Sequence, residues 1–86
     1  MKVELLYFHA CPHAEGARSL LTRCLARLGA PVLVAEREGD FPSPTILVNG
    51  IDVMGRTISQ GRTCRLDLPT EEKILAALEN AREHGE

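Results

Sequence analysis

At 86 residues, with a formal net charge of −2 and 26% charged residues, the chain has the size and composition of one soluble domain. No basic excess supports a nucleic-acid footprint, and one Tyr, two Phe and no Trp leave no platform for base stacking. No stretch approaches the roughly 18 apolar residues of a membrane span, and Glu4 interrupts the N-terminal apolar run before it could serve as a signal-peptide core.

A cytoplasmic protein without nucleic-acid or membrane partners is therefore expected, and no cofactor. In a reducing compartment three cysteines read as thiols rather than as a disulfide framework. The odd count leaves at least one of them unpaired in any monomer.

Val3-Glu4-Leu5-Leu6-Tyr7-Phe8 is a short apolar run and reads as a buried strand. From Pro12 the period changes. Ala14, Ala17, Leu21, Cys24 and Leu28 recur every three or four residues, with Arg18, Arg23 and Arg27 off that stripe, which predicts an amphipathic helix. Proline suits its first turn and Gly29 its C-terminal stop. Pro31 to Ala35 reads as a second strand, parallel to the first because a helix joins them. Thr45-Ile46-Leu47-Val48 reads as a third. Asn49-Gly50 is a strong hairpin signal, and Ile51 to Met54 returns as a fourth. Gly55 to Leu66 has no clear period and carries three arginines and no acid. Thr70 is placed to cap a last helix whose apolar stripe is Ile74, Leu75, Leu78 and Ala81.

The order β-α-β-β-β-α, with Cys11-Pro12 after the first strand, Ser43-Pro44-Thr45 before the third and an Asn-Gly hairpin ahead of a final helix, resembles the thioredoxin/glutaredoxin-like superfamily. The resemblance covers nearly the whole chain except Gly55 to Leu66. It implies an α/β, thioredoxin-like fold in which the central helix between strands two and three is missing. More loosely, Cys11-Pro12, Ser43-Pro44-Thr45 and Cys64-Arg65-Leu66 are similar to the small thioredoxin-like proteins associated with alkylmercury lyases. The resemblance further implies a cis peptide bond at Pro44, freeing backbone groups of Ser43 to bind a thiol substrate.

Cys11, expected as an exposed thiol at the start of the first helix, is the expected nucleophile. A thiol at a helix N-terminus faces unpaired N–H groups and the positive end of the macrodipole, which favour thiolate. His13 could add positive charge. The run Cys11-Pro12-His13 matches the start of a Cys-Pro-His-Cys oxidoreductase site, but Ala14 stands where the resolving cysteine would be. Cys64, between Arg62 and Arg65, is a candidate resolver for a mixed disulfide on Cys11, or a loop cysteine far from it. Cys24, inside the helix stripe, reads as a small buried hydrophobe.

Three functions follow from these residues. The first is thiol-disulfide or monothiol redox chemistry on a protein or glutathione-like substrate, with Ser43, Pro44 and Thr45 holding it. The second is a non-enzymatic carrier of a soft ion such as mercury or copper(I), which two thiolates can hold, with His9, Cys11, His13 and Cys64 as the candidate ligands. The third is an interaction domain without chemistry. A zinc site is not expected, because Cys11 and His13 lack a standard spacing and no Cys-x-x-Cys pair exists. The linker from Glu36 to Ser43 is too short for a helix, so one sheet face needs cover. Ile58 or Leu66 could supply it, or two chains could pair as a homodimer through that face.

Overall fold

The apolar run near the N-terminus forms the strand β1 (Val3–Tyr7), and the heptad-like stripe after it forms the helix α1 (Ala14–Leu28). The structure is a computed structural model, and it describes residues 1–29, 32–57 and 61–83. β2 (Val34–Glu38), β3 (Pro42–Ser43), β4 (Thr45–Val48), β5 (Ile51–Asp52) and β6 (Thr63–Cys64) follow, and α2 (Glu71–Glu83) closes the order. The protein is a mixed α/β domain with two helices. Its main sheet has the order β2-β1-β4-β5, and β3 and β6 form a separate two-stranded ladder.

β1 is central. It pairs in parallel with β2, from Val3 opposite Val34 to Tyr7 opposite Glu38, and antiparallel with β4, from Val3 opposite Val48 to Leu6 opposite Thr45. Opposed residues share a face, so Val3, Leu5, Ile46 and Val48 lie together. With Leu21, Cys24, Ile74 and Leu78 they form the core on which both helices pack. The hairpin at Asn49 and Gly50 takes positive φ at both residues, as a two-residue turn of the tight kind requires. Thr70 accepts the Lys73 N–H at 3.2 Å and caps α2 as expected. Gly29, at φ 63°, ends α1 by donating its N–H back into the last turn.

Two expected boundaries move. The second strand is not at Pro31 to Ala35 but begins at Val34 and runs through the charged residues Glu36, Arg37 and Glu38. It is an edge strand whose first residue, Val34, packs on the core and whose Glu36 and Arg37 are met by charge partners. Arg18 on α1 donates to Glu36 at 2.8 Å, and Arg37 pairs with Glu4 at 3.3 Å. Leu33, at the end of the apolar run, is exposed instead. Helix α1 begins at Ala14 with His13 as its N-cap, so Cys11 and Pro12 sit in the turn before it.

The second face of the sheet carries Glu4, Leu6, Thr45, Leu47 and Asp52 by register. Leu6 and Leu47 are buried, although neither belongs to the helix-packed core. The cover comes from the Gly55 to Leu66 segment, but through a charged residue. Arg65 lays its guanidinium on that face and donates to Thr45 Oγ1 at 3.0 Å and to Asp52 at 2.9 Å. Leu66 is 99% exposed and covers nothing. Ile58 lies outside the described residues.

Candidate functional site around three thiols

The site begins where β1 ends. Ala10 has φ 66°, a left-handed conformation that costs a residue with a Cβ on the order of 1 kcal/mol. The reversal sends the chain back over the strand, and the Cys11 N–H donates to the Phe8 carbonyl at 3.2 Å. The Cys11 carbonyl in turn accepts the Ala14 N–H at 3.3 Å. Cys11 is 8% exposed, which corrects the expectation of an exposed thiol at the first residue of the helix. His13 is exposed and makes no side-chain capping bond.

β3 and β4 flank this turn. β3, which carries Ser43, lies beside β1. The Ser43–Pro44 bond is cis, as expected. The Ser43 carbonyl accepts the Arg65 N–H at 2.9 Å. Thr45 is also occupied. Its hydroxyl donates to the Pro42 carbonyl at 2.7 Å and accepts from Arg65, so it braces the turn rather than meeting a ligand. The Ser43 hydroxyl is different: it is fully buried and has no hydrogen-bond partner among the described residues.

The parallel β3–β6 ladder places Pro42 opposite Thr63 and Ser43 opposite Cys64. Cys64 is therefore beside Ser43, not in a remote loop, and it is exposed. A shallow pocket lies over it, lined by Pro42, Arg56, Thr63, Arg65 and Asp67. A larger groove between the β4–β5 hairpin and α2, lined by Lys2, Val48, Ile51 and Lys73 among others, has no cysteine in its wall.

Of the two arginines flanking Cys64, Arg62 pairs with Asp40 at 3.0 Å. Arg65 is buried and bonds Asp67 at 2.6 Å as well as Asp52. The Asp67 hydrogen bond, with Asp52 behind it, raises the Arg65 pKa further above its ordinary value in spite of burial, and Arg65 draws the Asp67 carboxyl below the usual range. In the sequence Arg65 is one of three arginines in a segment without period or acid. Its acid partners stand at positions 52 and 67, and no local pattern connects the first of them to it.

His9, offered as a possible ligand, bonds Glu38 at 2.8 Å. Among the described residues no group of three or more His, Cys, Asp or Glu side chains is placed to hold a metal ion. Cys24 faces the helix-packed core and is 1% exposed, and burial pushes its thiol up from its ordinary value. It is expected to be the last of the three cysteines to react with iodoacetamide in the folded protein. Labelling of Cys24 as fast as Cys64, read by peptide mapping, would contradict this packing.

The fold and site define a small mixed α/β protein with three free thiols, one of which, Cys64, stands beside the buried Ser43. No helix among the described residues is long and apolar enough to cross a membrane. No protein-family model, no curated protein and no solved structure matches the chain.

Proposed function

We propose that this protein is a thioredoxin-like dithiol that exchanges disulfides through Cys11 and Cys64. The observation that carries the reading is the row across the ends of the strands. The Cys11 N–H is tied to Phe8 just past the end of β1, β3 with Ser43 lies beside β1, and Ser43 stands opposite Cys64. Adjacent strands lie about 4.8 Å apart, so a thiol on β6 is one strand from the cis-proline turn. The order β2-β1-β4-β5, the parallel β1–β2 crossover through α1 and the packing of both helices on one face support the thioredoxin-like part of the reading. The central helix between strands two and three is missing, and β3 and β6 are added.

Two cysteines can be bridged when their Cα atoms come within roughly 7 Å. Mild oxidation of the full chain at low concentration is expected to give a Cys11–Cys64 disulfide within one molecule, seen by mass spectrometry of unreduced peptides. If oxidation yields dimers joined through Cys64 and no internal bridge, the two thiols do not act as a pair and the reading fails.

A further inference from the structure

We propose that Cys64, not Cys11, makes the first attack on a disulfide substrate, and that Cys11 then closes the bridge from inside, with Ser43 as hydrogen-bond donor to the Cys64 sulfur. This rests on the dithiol reading of the Cys11 and Cys64 pair. Exchange requires the attacking sulfur to reach a sulfur of the substrate, so access weighs as heavily as thiolate content. Cys64 is exposed and opens on the shallow pocket beside Arg56, whereas Cys11 is folded under the turn at Ala10. An incoming disulfide meets Cys64 without any movement of the chain, but it meets Cys11 only after local opening.

The buried Ser43 hydroxyl is the second observation. Residues opposed in a ladder direct their side chains to the same side, and Ser43 is opposed to Cys64. At a strand spacing of about 4.8 Å the Ser43 and Cys64 side chains are direct neighbours across the ladder. A buried hydroxyl without a partner is unfavourable, so a charged sulfur beside it gains a donor that is otherwise unused.

The chemistry balances as follows. The Cys64 thiol gives its proton to solvent, and its thiolate attacks one sulfur of R–S–S–R. A Cys64–S–S–R bond forms, the substrate S–S bond breaks, and RS⁻ leaves to take up a proton. The Cys11 thiol then loses its proton, and its thiolate attacks the Cys64 sulfur. The second RS⁻ departs and is protonated. Two protein thiols are oxidised to one disulfide, and the substrate disulfide is reduced to two thiols. A dithiol reductant such as dithiothreitol restores the starting state by the same steps in reverse.

The test uses the full chain with the aromatic disulfide DTNB, whose released thiolate is coloured. The wild type is expected to release two equivalents and end with the internal bridge. Rapid quenching and peptide mapping should find the transient adduct on Cys64. Cys11→Ala should release one equivalent at the wild-type initial rate and keep a stable Cys64 adduct. Cys64→Ser should react at least about tenfold more slowly, as a buried thiol does. Ser43→Ala should slow the first release severalfold, and Ser43→Thr, which keeps the hydroxyl, should restore it. A first adduct on Cys11 in the wild type overturns the proposed order while leaving the pair intact. A wild type that halts at a single adduct overturns the pairing and the order together. Equal rates for Ser43→Ala and Ser43→Thr remove Ser43 from the step. Because the wild-type mapping needs no substitution, a variant that fails to fold does not leave the order undecided.

Discussion

Replacing Arg65 with leucine is expected to destabilise the protein by about 3–5 kcal/mol, measured by urea unfolding, because it leaves a buried carboxylate without its counter-charge. Asp52 has a fully buried side chain, and the Arg65 guanidinium is the cation that meets it. The remaining partners of Asp52 are the Met54 and Arg56 backbone N–H groups, at 3.3 and 3.2 Å. Folded chains hold roughly 0.05–0.15 kcal/mol per residue, so a domain of this length has about 4–13 kcal/mol in all. The loss is thus large enough to unfold a sizeable fraction at 37 °C. Arg65→Lys is expected to fall between wild type and Arg65→Leu, since an ammonium cannot serve Thr45, Asp52 and Asp67 at once. A cost below about 1 kcal/mol for Arg65→Leu would show that the carboxylate is solvated and the clip is not what closes the second face.

The same group sets an acid limit. The Asp67 carboxyl lies below its ordinary value because Arg65 hydrogen-bonds its charged form. A carboxyl depressed in the folded state contributes stability that is fully present above its unfolded value of about 3.9 and is lost as pH falls through the folded value. Unfolding midpoints are therefore expected to hold down to about pH 5 and drop below it as far as this group is concerned. In Arg65→Leu the Asp67 contribution to that drop should shrink, because nothing then depresses the carboxyl.

Local chemistry explains what the sequence made legible. The stripe from Ala14 to Leu28, the Asn49-Gly50 turn and the Thr70 cap each depend on residues within a few positions of one another, and each forms where expected. The second strand was misplaced because its residues are chosen by neighbours distant in sequence. Arg18 and Glu4 make Glu36 and Arg37 acceptable in a sheet, and the more apolar Leu33 is left outside. At the site, the β3–β6 ladder sets the candidates Ser43 and Cys64 side by side, next to Pro44. The exposures of Cys11 and Cys64 were not legible. Cys11 is buried after a positive φ at Ala10, a residue type that gives no sign of it, and Cys64 is exposed although it stands opposite the buried Ser43. Arg65 was missed for the same reason. A cation is buried here because two acids and a hydroxyl converge on it, and only the folded chain brings them together.

Truncating Leu6 is expected to cost about 2–5 kcal/mol, and truncating Leu66 less than about 0.5, although the two residues have the same side chain. Leu6 points away from the helices, onto the face that the sequence left without cover. It is nevertheless 3% exposed, so Leu6→Ala removes buried methyl groups and leaves a void. Leu66 follows Arg65 directly, yet its side chain is in solvent. The clip carries the guanidinium to the sheet and turns the next residue away. Paired urea titrations of Leu6→Ala and Leu66→Ala distinguish the two ways of covering the face. A Leu6→Ala protein as stable as wild type would mean that the face is open to water. A costly Leu66→Ala would mean that Leu66, rather than Arg65, reaches the sheet or a second chain. Sedimentation of the wild type across a range of concentrations reads the same closure from outside. A face sealed by Arg65 leaves Leu6 and Leu47 with no apolar surface to offer, so the mass is expected to stay that of one chain. A concentration-dependent mass that Leu66→Ala abolishes would instead place the exposed leucine in an interface.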